Sequence, residues 1–338
     1  MTVTETVLPS LDPHRVRSLI DRIAGLPVLI VGDVMLDHFI FGGVSRISPE
    51  APVPVLEFDR EEFHVGGAAN VAANVRALGG SAVVAGVVGA DEHGATLTAA
   101  LRQAGIDSAR ILVDRQRPTT RKVRIVTTRH QQVARVDYEI DREIAGDVED
   151  SLVSAMEQAA RSAQALVVSD YLKGSITRTV MARAVTVCAD LRIPLVVDPK
   201  VGHLEYFSGA TVITPNNAEA EMAAQMRIRS NADAKRAARV IRARMGCKVV
   251  LITRGESGMW LLSDAIEGYL PAMAREVADV TGAGDTVVAA LALALAAGAD
   301  PVEAATLANA AAGVTVTKFG PASASADELR AAVDSGPS

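Results

Sequence analysis

Apolar positions along the chain fall into two patterns. Short unbroken runs stand at 26–31 (LPVLIV), 81–88, 165–168, 194–197, 211–214 and 248–253, each followed within two residues by Gly, Asp or Pro. Such runs predict strands buried on both faces. Between them, at 68–78, 95–103, 177–190, 218–225 and 233–245, apolar residues recur every three or four positions, which predicts helices. The alternation predicts an α/β fold: a mainly parallel sheet covered by helices on both faces. A further stretch at 287–297 is apolar on all sides and predicts a buried helix, since it is too short to span a membrane.

Two segments break the alternation. Residues 53–58 and 121–137 read as extended strands with no helix between them, the second interrupted by turn-like residues at 128–131. They predict a small β-sheet lid, drawn approximately from 38–64 and 115–138 and separate from the main sheet. The stretch SRISPEAPVPVL (45–56) leads into it. Pro52 and Pro54 lack an N–H, which suits an edge strand or the approach to one. There are no internal repeats, so one domain is expected over 12–320, followed by a tail at 321–338 with a short helical segment.

Composition narrows the function. Of 338 residues 49% are hydrophobic and 22% charged, which excludes disorder for the chain as a whole. The net charge of -6, with no basic block, argues against nucleic acid or a membrane surface as partner. Cys188 and Cys247 are the only cysteines, and the six histidines form no HxH or HExxH pattern, so a zinc site is not expected. The N-terminus has an early acid and no continuous apolar core, so a cytoplasmic location is expected. A GxxxxGK[ST] loop, a GxGxxG after the first strand and a GxSxG elbow are all missing from the sequence. Phosphoryl transfer is left ahead of acyl transfer.

The strongest local signal is DVTGAGDT (279–286), placed before the apolar helix. Small residues let a ligand approach the backbone, and N–H groups at a helix start can hold phosphoryl oxygens. A tight turn with an acidic first helical turn would carry the same letters. Gly66 and Gly67 precede a helix on which Asn70 offers donors and an acceptor to hydroxyls; capping and close packing would explain them equally. Asp33 and Asp37 flank the end of the first strand, where open sheets bind ligands. Asp198, in VVDPK, could be catalytic, structural or a contact to metal-bound water. Asn216 and Glu219, three apart, read as a helix cap or as holders of magnesium-bound water. Thr253, Arg254, Gly255 and Gly258 form a turn that could touch a nucleotide or simply be solvated.

Taken in order, GDVMLD (32–37), GGAAN (66–70), NNAE (216–219) and DVTGAGDT (279–286) resemble the ribokinase-like, or PfkB-type, carbohydrate kinase family over nearly the whole chain. Within it, SRISPEAPVPVLEF, GGAANVAANVRALGG and SDYLKG resemble the kinases of D-glycero-β-D-manno-heptose 7-phosphate in lipopolysaccharide precursor synthesis. The resemblance implies transfer of the ATP γ-phosphoryl group to the C1 hydroxyl, giving heptose 1,7-bisphosphate. Another sugar or nucleoside kinase, or a non-catalytic sugar-binding regulator, are the alternatives.

The resemblance also implies roles. Asp285 matches the general base, and Gly282, Ala283 and Gly284 match the anion hole. Asp33, Asp37, Gly66, Gly67, Asn70 and Asp170 match the sugar side, while Arg46, Lys122, Arg135 and Lys173 are candidates for the 7-phosphate. Asn216, Glu219, Thr253, Arg254, Gly255, Gly258 and Asn309 fall on the ATP side, with Glu219 reaching Mg2+ through water. Asp279 and Thr281 fall near a monovalent-cation loop, so K+ is an optional ion. A homodimer through the lid is expected. Some relatives carry a fused nucleotidyltransferase; with this chain ending at Ser338, that step is expected to belong to another protein, and the implied pathway also calls for a separate phosphatase. Leu172 stands where the family's SDYxKG motif usually has a small residue.

Overall fold

The computed structural model describes residues 7–9, 12–129, 131–273, 277–318 and 322–335. The first half runs α1 (Pro13–Ile23), β1 (Pro27–Gly32), β2 (Val34–Ile47), β3 (Pro54–Gly67), α2 (Ala68–Ala77), β4 (Ser81–Gly89), α3 (Glu92–Gln103) and β5 (Asp107–Asp114). Then come β6 (Arg121–Thr127), β7 (Gln132–Tyr138), α4 (Asp147–Ala160), β8 (Ala165–Ser169), α5 (Arg178–Leu191), β9 (Leu195–Asp198) and β10 (Val212–Ile213). The last part holds α6 (Asn217–Ala224), α7 (Asn231–Met245), β11 (Val249–Thr253), β12 (Met259–Leu262), β13 (Glu267–Leu270), α8 (Ala283–Ala296), α9 (Pro301–Thr315) and α10 (Ala326–Ser335).

Among the described residues the main sheet has nine strands in the order β13-β12-β11-β10-β9-β8-β1-β4-β5, parallel except that β12 runs antiparallel to both of its neighbours. The apolar run in β1 serves both faces: Val28 and Ile30 enter one core, with α2 and α8, and Leu29 and Val31 enter the other, with α4, α5 and α7. This is why the run shows no alternation. Cys188 and Cys247 are buried in that second core, and burial pushes their thiols up to about 12 and about 11 respectively. No helix among the described residues is long and apolar enough to cross a membrane.

The second sheet has the order β3-β2-β6-β7 and rises from the carboxyl end of β1. Its longest pairing, β2 with β3, runs antiparallel from Val34↔Gly67 to Ile47↔Pro54. The sequence pattern marks only 53–58 of this pair; the strand Val34–Ile47 is hidden by two interior glycines, Gly42 and Gly43, and by mixed burial. Pro54 opens the edge strand β3, while Pro49 and Pro52 lie in the turn before it, where Ser48 N–H reaches the Val53 carbonyl. Residues 115–120 lead towards β6 without joining a strand.

Other elements escaped the pattern for local reasons. β5 is an edge strand with only Ser108 and Asp114 buried, so it lacks an apolar run. α9 is Ala-rich, and its start is written instead in a capping box between Asp300 and Glu303 with Pro301 at its first position. Of the tail, Ala326–Ser335 is helical and residues 321 and 336–338 lie outside the described set.

Gly67 joins lid to core. It has φ 59° and caps α2, and a Cβ there would collide with the Asp33 carbonyl oxygen and lie 2.8 Å from Met35 Cε. Gly25 has φ 74° but open space around it. Gly25→Ala is expected to cost about 1 kcal/mol from backbone strain, and Gly67→Ala at least about 3 kcal/mol because crowding adds to strain. Equal losses in denaturant unfolding would show that the close approach at Gly67 is unimportant. A thiol reagent should leave both cysteines unlabelled in the native protein and label them on unfolding; rapid labelling of the folded chain would contradict their burial.

Candidate active site

Chain order on the main sheet reverses at β1: β4 and β5 continue to one side, and β8 to β11 to the other. Such a reversal opens a crevice beyond the carboxyl ends of the strands. Into it come the first residues of β2, the loop 170–175 after β8, the residues after β9, and the start of α8.

Asp285 sits in the first turn of α8, 8% exposed. Asn70 Nδ2 donates to its Oδ2 at 2.5 Å and Tyr171 Oη donates to its Oδ1 at 2.7 Å. Burial pushes this carboxyl above the ordinary aspartate range, the two hydrogen bonds and Lys200 oppose the shift, and Asp37 adds to it. Gly282 caps the helix with φ 79°, and a Cβ on Gly284 would meet only open space. The first-turn amides are orphan donors by geometry. Ala283 N–H is an exception, because it donates back to the Val280 carbonyl at 3.2 Å. Of the anion hole expected over Gly282, Ala283 and Gly284, the Ala283 amide is therefore already engaged by the turn that opens α8, and the Gly284 and Asp285 amides follow it in the first turn.

A cavity of about 150 Å³ opens beside this turn, with Tyr171, Asp198, Lys200, Glu219, Gly284 and Asp285 among its walls. Asn216 and Glu219 form a reciprocal capping box at the start of α6, with both bonds at 2.9 Å, and Glu219 also pairs with Lys200. The cap and the cavity wall are thus the same residues. Burial pushes Asp198 well above the ordinary range, reinforced by Asp285. Burial works against the Lys200 ammonium, but its bond to Glu219 and the nearby charges of Glu219, Asp198 and Asp170 outweigh it and raise its pKa.

Several expected ligands have other partners. Asp33 is not a direct hydroxyl ligand: it is 1% exposed, and its carboxylate accepts backbone N–H groups from Tyr171, Lys173 and Ser175 at 2.8, 3.0 and 2.9 Å. Asp170 is fully buried, accepting from Leu172 N–H at 2.8 Å and paired with His203 Nδ1 at 2.9 Å. Gly66 leaves room for the Asp37 carboxylate, which lies only 2.5 Å from where a Cβ would stand. Gly258 is crowded by the Leu270 carbonyl and is a packing glycine, whereas Gly255 has φ 57° in open space. Thr253 lines the cavity, but the Arg254 guanidinium is bonded to Asn231 on α7. Asn309 donates to the Pro271 carbonyl at 2.7 Å. Asp279 Oδ1 accepts from Thr281 N–H and Oγ1 at 2.9 and 2.7 Å, a closed local turn.

On the phosphate side, Arg46 is corrected. It lies nine residues beyond Asp37 on β2, about 30 Å along an extended strand, out of reach of a sugar held at Asp37 in the same chain. Arg135 is engaged by Asp137 through two 2.9 Å bonds. Lys122 contacts Asp137 and Glu139, and Lys173 contacts Glu139 and Asp141. The sequence reading missed Arg124 on β6, which pairs with Asp37 and lies 5.1 Å from the Phe39 ring centroid. It also missed Tyr171, Lys200 and Thr214. All but Arg124 stand at or just past the ends of β8, β9 and β10, where the strand-end rule could have found them. Leu172 adopts φ 56° and packs where Gly202 carries no side chain, which accommodates its unusual size.

The family model described as pfkB family carbohydrate kinase matches residues 28–328. The chain belongs to the pfkB family of carbohydrate kinases. It is an ATP-dependent sugar kinase. Among curated relatives, the bifunctional protein HldE of Trichlorobacter lovleyi is 43% identical over 324 residues, covering 96% of this chain and 66% of the relative. That of a Caulobacter species is 45% identical over 313 residues, covering 90% and 62%. The chain thus spans slightly under two thirds of the length of these relatives. Among solved structures, Arabidopsis thaliana ribokinase with ribose and ATP aligns with TM-score 0.73 at 20% identity, covering 91% of this chain and 99% of that one. Escherichia coli phosphofructokinase-2 with potassium aligns at 0.74 and 19% identity, covering 92% and 99%. These two likenesses establish the ribokinase-like fold.

Asp285→Asn is expected to keep the fold and lower turnover by about 100-fold or more, since it removes a proton acceptor without removing bulk. Steady-state kinetics with circular dichroism checks this, and near-normal turnover would remove Asp285 from the base role. Because the Asp285 pKa is raised in the free protein, kcat/KM for the sugar in the unmodified enzyme should fall as pH drops through a value above the ordinary aspartate range, as a pH-rate profile would show.

Proposed function

We propose that this kinase transfers the γ-phosphoryl group of ATP to the C1 hydroxyl of D-glycero-β-D-manno-heptose 7-phosphate, giving heptose 1,7-bisphosphate and ADP for lipopolysaccharide precursor synthesis. The observation that carries the choice of a phosphorylated sugar is the Arg124–Asp37 pair on the lid, above the crevice. Asp37 is the carboxylate suited to sugar hydroxyls, and a guanidinium beside it is a ready phosphate partner once those hydroxyls replace it. The likeness to bifunctional HldE proteins across nearly the whole chain supports the same reading.

In the reaction the sugar is held through its hydroxyls by Asp37 and Asn70, and its C1 hydroxyl gives its proton to the Asp285 carboxylate. Its oxygen bonds to the γ-phosphorus as the bond to the bridging oxygen breaks and ADP leaves. Gly284 and Asp285 N–H groups donate to the transferred phosphoryl oxygens, and Lys200 exchanges Glu219 for a phosphate oxygen. Loose phosphoryl-transfer states need little help from a strong base, so alignment and charge stabilisation supply most of the rate.

The donor set fits Mg2+. Glu219 and Asp198 are oxygen donors on a cavity wall, and no cluster of three metal-ligating side chains occurs among the described residues, so a hydrated ion shared with phosphates suits the site better than an all-protein cage. Mg2+ would neutralise phosphate charge, with Glu219 and Asn216 holding its water shell. Asp279 and Thr281 offer the oxygen donors that K+ takes.

The lid also bears exposed apolar residues, including Val44, Ile47, Phe58, Phe63, Val136 and Tyr138. This number of exposed apolar side chains on one small sheet supports a homodimer through the lid. A cytoplasmic location completes the reading.

Product identification with γ-labelled ATP tests the substrate: label should appear on C1 of heptose 7-phosphate, with ribose, fructose and adenosine turned over poorly. Preference for an unphosphorylated sugar would reject the assignment. Arg124→Gln should raise KM for the sugar phosphate by about 10- to 100-fold while sparing the unphosphorylated heptose. Equal losses on both would mean that Arg124 only packs the lid.

A further inference from the structure

Tyr171 is a cavity-lining side chain to which the phosphoryl-transfer reading gives no task. Its hydroxyl donates to Asp285 Oδ1 at 2.7 Å, and Lys200 Nζ lies 5.3 Å from its ring centroid. The backbone that carries it is fixed on both sides. Tyr171, Lys173 and Ser175 all donate N–H groups to Asp33, and Leu172 N–H donates to Asp170, itself held by His203. A phenol on so anchored a loop sets the orientation of whatever it binds, because it cannot follow a rotating partner.

We propose that Tyr171 is the positioning residue for the Asp285 carboxylate, holding it in the rotamer that presents a free lone pair to the attacking sugar hydroxyl. Each carboxylate oxygen has two acceptor sites, so the bonds from Tyr171 and Asn70 leave capacity for the incoming proton. The sugar proton passes to Asp285 as the oxygen bonds to phosphorus and ADP departs; Tyr171 keeps its own proton throughout. Burial first, and then the Asp285 charge, push the phenol well above its ordinary range, which suits a donor that never ionises. This inference rests on Asp285 being the base.

The role has a signature that simple packing lacks. Asp285 is faced by Asn70 from α2, Asp37 from β2, Asp198 and Lys200 from the end of β9, Glu219 from α6, and Tyr171. With only Lys200 positive in that company, losing the phenol donor leaves burial and the carboxylates less opposed. The pKa governing the acid limb of kcat/KM for the sugar should rise.

The experiment compares pH-rate profiles of the wild type, Tyr171→Phe, Asp285→Asn, and protein carrying 3-fluorotyrosine at 171 alone. Tyr171→Phe should lower kcat by about tenfold, the worth of one well-placed hydrogen bond, leave KM for ATP unchanged and move the acid limb to higher pH. The fluorinated phenol, a stronger donor of nearly the same shape, should move it to lower pH, and this arm decides the matter if the Phe variant does not fold. An acid limb in the wild-type position for every Tyr171 form, with Asp285→Asn inactive, would overturn this inference alone. Normal turnover by Asp285→Asn would overturn the base assignment and the inference with it.

Discussion

At the carboxyl end of β1 the Asp33 side chain lies inside the protein with three backbone N–H groups of the 171–175 loop pointing at it. Burial pushes its pKa up and Asp170 adds to the shift, while the three amides oppose both. A buried carboxylate is tolerated when bonds of this kind replace water, and here they also fasten one side of the crevice to the other. The loop carries Tyr171 to Asp285 and Lys173 to the acids of the lid's margin. Asp33 does not contact Asp285 directly, yet the geometry around Asp285 depends on it through this loop.

The lid follows from the same strand end. β2 begins two residues after β1, and β3 returns through Gly66 and Gly67 directly into α2. One hairpin therefore joins the main sheet to the helix that carries Asn70, and Asp37 faces the crevice because no side chain at Gly66 fills its space. The strands of the small sheet and the helix that places Asn70 against Asp285 thus share a foundation of a few residues.

Charge in the site is arranged as exchangeable pairs. Lys200 rests on Glu219 and Arg124 on Asp37. Each pairing neutralises a side chain that a phosphorylated ligand would otherwise have to meet bare. Under the proposed function, anion binding trades one partner for another instead of desolvating an isolated cation, which keeps its cost low.

The sheet strands, the buried α8 and the glycine-rich turns were legible because each is written in contiguous residues: apolar runs, helical spacing, and Gly beside Asp. Asp285, Asn70, Asn216 and Glu219 stand within such local signals. Sequence alone could not tell a hydroxyl ligand from a loop anchor, since Asp33 and Asp37 look alike in GDVMLD and differ only in which donors the fold brings to them. Nor could it show that Arg46 ends far along a strand while Arg124 reaches Asp37, because cross-strand register is set by pairing between distant segments. Local chemistry thus determined the fold class and the family motifs. Tertiary structure decided which charges meet, through long-range register and burial that no single stretch of chain contains.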